Sequence, residues 1–245
     1  MGNIEVLLWA LCPNLERKIM EIKEIGYLKT SFPSKFGVPR QSGIARHSEA
    51  TLIFGEEYRI KEALNGLEGY SHVWVIWGFS EAKYEEFSPT VRPPKLGGNK
   101  RVGVFASRSP FRPNSLGLSL LQLEKIEKDP EYGYVLRLSG ADMMDGTPVY
   151  DIKPYLPYVE CPDIAMGGFT EEIEYRLLDV EIPDYLLDKL PVNLRSLLLE
   201  VLENDPRPQY IDTPQRIFGF LFDKFEVKFK VDGTDLTVIS IEEAK

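Results

Sequence analysis

The spacing of apolar and polar positions predicts that the chain between residues 70 and 140 is built mostly from β-strands. Residues 73–79 (VWVIWGF) form a continuous apolar run, which is typical of a strand buried on both faces. Three further segments have a mostly alternating pattern and are separated by Gly and Pro clusters, at residues 102–106, 116–126 and 134–138. Residues 57–68 predict the one short helix of this half, ending at Gly66. Several short strands with few helices indicate an all-β barrel or sandwich.

The pattern changes after about residue 160. Residues 184–204 have helical apolar spacing, and the Asp-Pro pair at 205–206 stops the helix. Two alternating runs follow, at residues 216–231 and 236–241. Asp232-Gly233 lies between them and is a strong hairpin signal. This half therefore predicts a small α+β domain.

These patterns divide the chain into a mainly β domain at residues 20–160 and the α+β domain at residues 165–245. Residues 1–19 are expected to be an N-terminal extension, with Met20 as the natural start. The apolar stretch at residues 4–11 has no Lys or Arg before it, which does not fit a signal peptide. No run of about 18 apolar residues occurs, so we expect no membrane span.

The composition indicates a globular protein. The chain has 245 residues, of which 43% are hydrophobic and 27% are charged, and this excludes a collagen-like fibre and a disordered tail. Two distant cysteines, Cys12 and Cys161, exclude a disulfide framework and favour a reducing, cytoplasmic compartment. The two histidines, His47 and His72, are not clustered with the cysteines, so we expect no metal.

The charge is unevenly distributed. Residues 87–123 contain six Lys and Arg residues and no Asp or Glu, in a chain whose net charge is −9. Such a segment is either a solvated basic loop or a local face that binds a polyanion. Four of the six cations are Arg, which favours bidentate contacts to phosphate or carboxylate.

Several common nucleotide and nucleophile motifs are absent. The sequence has no G-x-x-x-x-G-K-[ST] phosphate loop and no G-x-S-x-G elbow. The glycines of residues 96–103 (LGGNKRVG) lead into a predicted strand rather than a helix, which does not support a Rossmann site. A nucleotide-like cofactor would therefore bind on another architecture.

Six sequence segments together form a more specific pattern than any of these short motifs. They are FGVPRQSG (36–43), GLEGYSHVWVIWGF (66–79), VRPPKLGGN (91–99), RVGVFASRSPFRPNSLGLSLL (101–121), DMMDGTPVYDIKPYLPY (142–158) and DPRPQY (205–210). In this order they resemble the TrmO family, also called TsaA-like or YaeB-like proteins, from about residue 22 to 241. The resemblance implies an S-adenosylmethionine-dependent tRNA methyltransferase with a β-barrel catalytic domain. It also implies a homodimer that methylates N6-threonylcarbamoyladenosine at its N6 nitrogen, at tRNA position 37.

The resemblance implies which residues bind S-adenosylmethionine. Asp142 and Asp145 could hydrogen-bond ribose hydroxyls and offset the sulfonium charge, although Asp also caps turns routinely. Met143 and Met144 could pack against adenine, and Arg108 could bind the cofactor carboxylate. The remaining candidates lie in the loop of small residues, at the end of the 73–79 strand and on the 116–126 strand. They are Gln41, Ser42 and Gly43, then Ser80 and Glu81, then Leu118. Some relatives have a His-Gln pair where this chain has Ser80-Glu81. Contacts to the cofactor from the backbone of this pair would be kept despite that difference, whereas contacts from its side chains would not.

The residues expected to bind tRNA are Arg92, Lys95, Lys100, Arg101, Arg112, Asp205, Arg207 and Tyr210. The last three lie on the Pro-rich turn DPRPQY, which is either a stiff connector or a surface presented to an RNA loop. The family has Ala where this chain has Gln209. Methyl transfer also requires loss of a proton from N6, and the catalytic candidates are His72, Tyr155 and a carboxylate of the 142–145 turn. Two alternatives remain open, namely an RNA-binding barrel without activity and a methyltransferase for another substrate.

Overall fold

A computed structural model describes residues 21–81, 87–93, 100–172, 175–207 and 216–244. The strands in this part of the chain are β1 (Gly26–Thr30), β2 (Glu49–Phe54), β3 (His72–Gly78), β4 (Thr90–Val91), β5 (Val102–Gly103), β6 (Leu116–Asp129), β7 (Gly133–Ser139), β8 (Pro148–Pro154), β9 (Asp179–Glu181), β10 (Phe218–Phe222), β11 (Phe225–Asp232) and β12 (Asp235–Glu243). The helices are α1 (Pro157–Glu160), α2 (Asp184–Leu187) and α3 (Val192–Glu203). Turns of 3₁₀ helix occur at Glu56–Tyr58, Lys61–Leu64, Leu67–Gly69, Val104–Ala106 and Gly168–Glu172. The predicted extension at 1–19, Met20, Lys95, Gln209 and Tyr210 lie outside the described residues.

Six strands close into an antiparallel barrel in the order β1-β2-β7-β6-β3-β8, which confirms the predicted mainly β fold. One face of each strand fills the barrel interior, as alternation requires. On β3, Val73, Val75 and Trp77 point inward and are at most 7% exposed. Trp74 and Ile76 point outward and are half-buried, so the expectation that this strand is buried on both faces is wrong. A closed barrel has a single interior, and its outer face here is covered only in part.

The predicted helix over residues 57–68 is also wrong, because the structure has three short 3₁₀ turns there. Gly66 lies between the last two turns with φ of +88°, a left-handed conformation that interrupts a continuous helix. The predicted strand at 102–106 shortens to β5, and a 3₁₀ turn follows it from Val104 to Ala106.

The second half forms a four-stranded sheet in the order β10-β11-β12-β9, covered by α3. The hairpin at Asp232-Gly233 is confirmed, since Asp232 pairs with Asp235 and Gly233 has φ of +61°. The single run expected over 216–231 is instead two strands, β10 and β11, which turn at Asp223 with φ of +50°. The buried positions change from even numbers, Phe220 and Phe222, to odd numbers, Phe225 and Val227, across Asp223-Lys224. The prediction of a single run overlooks this change of phase.

The two halves have separate hydrophobic cores. One core fills the barrel, and the other lies between the second sheet, α2 and α3. Two residues that precede β2, Phe32 and Ala45, belong to the second core rather than the first. The loop between β1 and β2 therefore packs against the C-terminal half.

Candidate functional site

One edge of β6 has no neighbouring strand, because β7 ends early. β6 pairs with β3 from Leu116 to Gln122, whereas its pairing with β7 begins only at Gln122 opposite Ser139. Ser42 occupies part of this edge, since its Oγ accepts a hydrogen bond of 3.3 Å from the backbone N–H of Leu120. Backbone groups in a strand alternate in direction, so the N–H and C=O of Leu118 point along the same edge.

Asp142 lies beside this edge, on the segment that follows β7. Its Oδ1 accepts a hydrogen bond of 2.6 Å from Ser119 Oγ, which in turn accepts one of 3.0 Å from Trp77 Nε1. Burial raises the pKa of Asp142 to about 6, while hydrogen bonds from Ser119 and the Ser42 backbone and the charge of Arg108 act in the opposite direction. The carboxylate is therefore mostly ionised at pH 7 in a largely desolvated position.

A glycine contact holds the loop at residues 40–43 against the end of β7. The N–H of Gly43 donates a hydrogen bond of 2.9 Å to the carbonyl of Gly140, and both glycines have a positive φ. A Cβ on Gly140 would lie 3.3 Å from Gly43, so only a glycine allows this approach without displacement. On the same loop, Gln41 Nε2 donates to the carbonyl of Arg40 at 2.6 Å, and Gln41 Oε1 accepts from Arg108 Nη1 at 2.6 Å.

The structure thus brings six of the predicted residues together. We call this group the β6-edge cluster, and it consists of Gln41, Ser42, Gly43, Arg108, Asp142 and the backbone of Leu118. It combines a guanidinium, a desolvated carboxylate and strand backbone groups. This arrangement suits a ligand that carries both charges and a planar group with hydrogen-bonding edges.

Ser80 and Glu81 follow β3 and are exposed. Ser80 lines a pocket of about 400 Å³ together with Asn114, Ser115 and Leu116. The other lining residues include Gly78 at the end of β3 and Pro148 and Tyr150 on β8, and none of them belongs to the cluster. The structure therefore places Ser80 outside the cluster, in a pocket on the β3–β8 side of β6.

Three predicted residues of the 142–145 turn have other surroundings. The side chain of Met143 is 1% exposed and packs in the barrel core, so it is not available to an adenine ring in this structure. Asp145 Oδ1 accepts a hydrogen bond of 2.9 Å from the Thr30 backbone and joins the turn to the end of β1. Met144 is half-buried, and its carbonyl accepts from Thr147.

Two of the three catalytic candidates, His72 and Tyr155, lie apart from the cluster, whereas the third, a carboxylate of the 142–145 turn, is represented in it by Asp142. His72 begins β3 and pairs with Gln122, at the opposite end of the strand from Ser80. Its ring lies edge-on to Tyr155, with 6.3 Å between the ring centroids, and its Nδ1 is 2.9 Å from Ser71 Oγ. Desolvation, with smaller contributions from Cys161 and Glu160, raises the pKa of Tyr155. The phenol therefore stays protonated at neutral pH, where a general base would have to be deprotonated.

Both halves of the chain match models of one protein family. Residues 27–161 match the tRNA-methyltransferase O N-terminal domain, and residues 169–244 match the TrmO C-terminal domain. The chain belongs to the TrmO family.

The similarity extends to whole relatives. The chain is 36% identical over 239 residues to the tRNA (adenine(37)-N6)-methyltransferase of Escherichia coli (strain K12), an alignment that covers 91% of this chain and 97% of that protein. A protein of Pseudomonas aeruginosa named as an S-adenosylmethionine-dependent methyltransferase is 36% identical over 222 residues, covering 88% of this chain and 94% of that protein. The crystal structure of TrmO from Pseudomonas aeruginosa matches with a TM-score of 0.73 at 31% identity, covering 91% of this chain and 98% of that one. These matches confirm the resemblance inferred from the six segments.

No helix in the described part of this TrmO-family chain has the length and apolar character to cross a membrane. No group of three or more His, Cys, Asp or Glu side chains in the described ranges is arranged to hold a metal ion.

The basic segment of this TrmO-family chain is only partly directed outward. Arg101 Nε donates a hydrogen bond of 2.7 Å to Thr90 Oγ1, and Arg112 Nη1 donates one of 2.8 Å to the Ser107 carbonyl. Arg92, Lys100 and Arg101 are exposed, whereas Arg112 is half-buried. Arg112 therefore stabilises its own loop and is the least suited of these four to contact a phosphate.

The Asp-Pro-Arg turn that follows α3 has a structural ion pair at its centre. Asp205 has φ of +50°, and its two carboxylate oxygens accept hydrogen bonds of 2.8 and 2.9 Å from Arg207 Nε and Nη2. The Arg207 side chain is 13% exposed and lies over the ring of Phe218, 6.0 Å from its centroid. In this structure the Arg207 guanidinium holds the turn together, and contact between the turn and an RNA loop stays a prediction.

Sequence reasoning did not identify Arg40, Ser119 or Trp77. Ser119 and Trp77 are inward-facing strand residues, and nothing in the local sequence indicates the hydrogen bonds that join them to each other and to Asp142. Arg40 precedes the predicted loop residues, and nothing in the local sequence indicates which distant carbonyls it binds.

Proposed function

We propose that this chain is an S-adenosylmethionine-dependent methyltransferase that modifies the N6 nitrogen of adenine 37 in tRNA. The observation that carries the proposal is the β6-edge cluster, which places Arg108 and the desolvated Asp142 carboxylate beside one uncovered strand edge. Membership of the TrmO family and the name of the Escherichia coli relative support the reaction and the substrate.

The residues of the cluster fit the chemical groups of S-adenosylmethionine. Arg108, oriented by Gln41, would bind the carboxylate of the methionine part. The Asp142 carboxylate would accept hydrogen bonds from ribose hydroxyls and favour a nearby positive charge. The N–H and C=O of Leu118 would bind the edge of the adenine ring.

When bound, S-adenosylmethionine supplies an activated methyl group on a sulfonium sulfur. The contribution of the protein is then chiefly to hold the acceptor nitrogen in line and to exclude water, because orientation accounts for much of the rate of such displacements. His72 and Tyr155 lie outside the β6-edge cluster, and we assign the role of general base to neither.

We further propose that the acceptor is N6-threonylcarbamoyladenosine, that the protein acts in the cytoplasm, where tRNA is modified, and that it is a homodimer. The dimer proposal is supported by large apolar side chains that are more than half exposed, namely Phe105, Phe111, Leu118, Tyr158 and Val159. Light scattering coupled to size exclusion tests it, and a mass of one chain would contradict it.

The decisive experiment measures methyl transfer directly. The protein is incubated with S-adenosylmethionine carrying a deuterated methyl group, and the nucleosides of the tRNA are analysed by mass spectrometry. Parallel samples contain tRNA with N6-threonylcarbamoyladenosine, the same tRNA with unmodified adenosine, and a tRNA with guanosine at position 37. We expect label on the first tRNA and none on the third.

The three outcomes separate the competing functions. Label on unmodified adenosine would retain the methyltransferase and overturn the modified substrate. Saturable S-adenosylmethionine binding without labelled tRNA would favour another acceptor. Absence of S-adenosylmethionine binding with retained tRNA binding would favour an RNA-binding barrel without activity.

A further inference from the structure

The segment between β1 and β2 is built into the core of the C-terminal half. We call residues 31–48 the seam segment. Phe32 and Ala45 are 0% and 1% exposed within the C-terminal core, and Val38 packs against it. Gly37 has φ of +84°, and a Cβ there would lie 2.5 Å from the ring of Phe220 on β10. At Gly37 the segment therefore lies directly against the C-terminal sheet.

Arg40 joins the seam segment to the turn after α3. Its Nη2 donates hydrogen bonds of 3.1 Å to the carbonyl of Asp205 and 2.9 Å to the carbonyl of Arg207. Burial lowers the pKa of Arg40, and the nearby Asp205 carboxylate acts in the opposite direction. Since a guanidinium remains protonated in proteins, a desolvated charge is held here by two backbone acceptors.

Arg40 also connects the turn to the β6-edge cluster through a continuous chain of hydrogen bonds. The carbonyl of Arg40 accepts a hydrogen bond from Gln41 Nε2, and Gln41 Oε1 accepts one from Arg108. Four groups are thus linked in order: the carbonyls of the turn, Arg40, Gln41 and Arg108. The two ends of this chain are the turn predicted to face tRNA and the cluster predicted to bind the cofactor.

We propose that Arg40 is a positioning residue that couples tRNA binding at the turn to cofactor binding at the β6-edge cluster. The inference rests on the proposed function. A ligand that orders the loop at residues 40–43 also orders the turn, because both are held by the same residue: the Arg40 side chain holds the turn, and its backbone carbonyl accepts the hydrogen bond from Gln41. The second ligand then binds an arrangement that is already ordered, which makes its binding tighter. Linkage requires that each ligand strengthens the other by the same factor.

The experiment measures this factor with a ligand that cannot react. S-adenosylhomocysteine is titrated calorimetrically into the full chain, with and without saturating tRNA, and the ratio of the two dissociation constants is the coupling factor. The variants are Arg40→Met, which keeps the apolar stem without the donors, and Arg40→Lys. The matched control is Arg195→Met, since Arg195 also donates to a carbonyl, that of Leu190 at 3.2 Å, but within the C-terminal half.

We expect a coupling factor of about fivefold or more in the natural protein and in Arg195→Met. In Arg40→Met the factor should fall to near one, and in Arg40→Lys it should fall by at least half. Hydrogen exchange gives a second measure: S-adenosylhomocysteine should slow amide exchange in residues 200–207 of the natural protein and not in either Arg40 variant. If thermal melting shows that Arg40→Met is unfolded, Arg40→Lys decides.

The outcomes distinguish this inference from the proposed function. Tight S-adenosylhomocysteine binding with a coupling factor within about twofold of one in the natural protein would overturn the inference alone. The same would follow if an Arg40 variant lost affinity for both ligands but kept the coupling factor, as expected of a residue that only stabilises the fold. No S-adenosylhomocysteine binding to the natural protein would overturn the proposed function and the inference with it.

Discussion

Replacing Asp142 with Asn should weaken cofactor binding while making the fold more stable. Burial raises the pKa of this carboxyl from 3.8 to about 6. Each pKa unit corresponds to about 1.4 kcal/mol, so keeping Asp142 ionised in the folded protein at pH 7 costs about 3 kcal/mol. An Asn oxygen still accepts the bond from Ser119, but the amide nitrogen cannot accept from the Ser42 backbone, a loss of about 1 kcal/mol. We therefore expect Asp142→Asn to stabilise the fold by about 1–2 kcal/mol at pH 7.

The pH dependence of this difference tests its cause. A carboxyl with a raised folded-state pKa binds its proton more tightly in the folded protein than in the unfolded chain. Lowering the pH from 7 through about 6 to 4 therefore stabilises the natural protein by about 3 kcal/mol but not the Asn variant. The difference should change sign, so that below about pH 4 the variant is the less stable of the two by about 1 kcal/mol, the loss of the hydrogen bond from Ser42. Urea denaturation of both proteins at constant ionic strength from pH 8 to pH 4 measures it. Asp145→Asn, an exposed acid of the same turn, is the control.

Binding should change in the opposite direction. Loss of a charged hydrogen-bond acceptor costs about 1.5–3 kcal/mol, so S-adenosylhomocysteine should bind Asp142→Asn about 10- to 100-fold more weakly at pH 7.5. A variant that is less stable at pH 7, or a stability difference that does not vary with pH, would show that desolvation of this carboxylate is not the cause. Unchanged affinity would remove Asp142 from the cofactor site.

Three further variants test the other candidate residues. Arg108→Ala should melt within a few degrees of the natural protein and bind S-adenosylhomocysteine about 10- to 100-fold more weakly by calorimetry, because a charge-assisted bidentate contact is lost; natural affinity would contradict this. Lys100→Gln with Arg101→Gln should lower the slope of log affinity for tRNA against log salt by about one unit per lost phosphate contact, and an unchanged slope would show that these cations do not reach the backbone. Arg207→Ala should lower the free energy of unfolding by about 2–3 kcal/mol, somewhat less than the cost of breaking a fully buried ion pair, and a stability loss under 0.5 kcal/mol would refute the structural role.

The β-strands of the first half could be predicted from sequence because most of them alternate and end at glycines and prolines. This pattern leaves a barrel and a sandwich open, and the family resemblance implies the barrel. The Asp232-Gly233 turn likewise specifies the hairpin between β11 and β12. Alternation alone misleads on β6, where Leu118 is 53% exposed while Ser119 is buried. The turn at Asp223 has neither glycine nor proline, and only the change of phase between Phe222 and Phe225 indicates it.

The candidate site shows the same division between local and distant information. The motifs locate Gln41, Arg108 and Asp142, and the structure brings these residues together. Composition and spacing cannot distinguish Met143, which is in the core, from Met144, which is half-buried. The backbone conformation of the turn that contains both residues decides the direction of each side chain. Long-range partners are likewise absent from any local pattern, as Arg40 demonstrates with acceptors 165 and 167 residues away in the chain.

The seam segment joins the loop that carries Gln41 to the C-terminal half of the chain. By chain order the loop that carries Gln41 belongs to the barrel, yet its apolar residues Phe32 and Ala45 are part of the C-terminal core. Transfer of a methyl group between two bound molecules requires their reacting atoms to be placed within a fraction of an ångström, and displacements of about 1 Å cost roughly 100-fold in rate. A linker of several residues cannot give this accuracy, whereas a glycine packed against Phe220 and a guanidinium shared between two carbonyls can. We therefore expect the C-terminal half both to support the loop at residues 40–43 and to carry the turn predicted to face tRNA, so a defect in its core should also weaken S-adenosylhomocysteine binding at the β6-edge cluster.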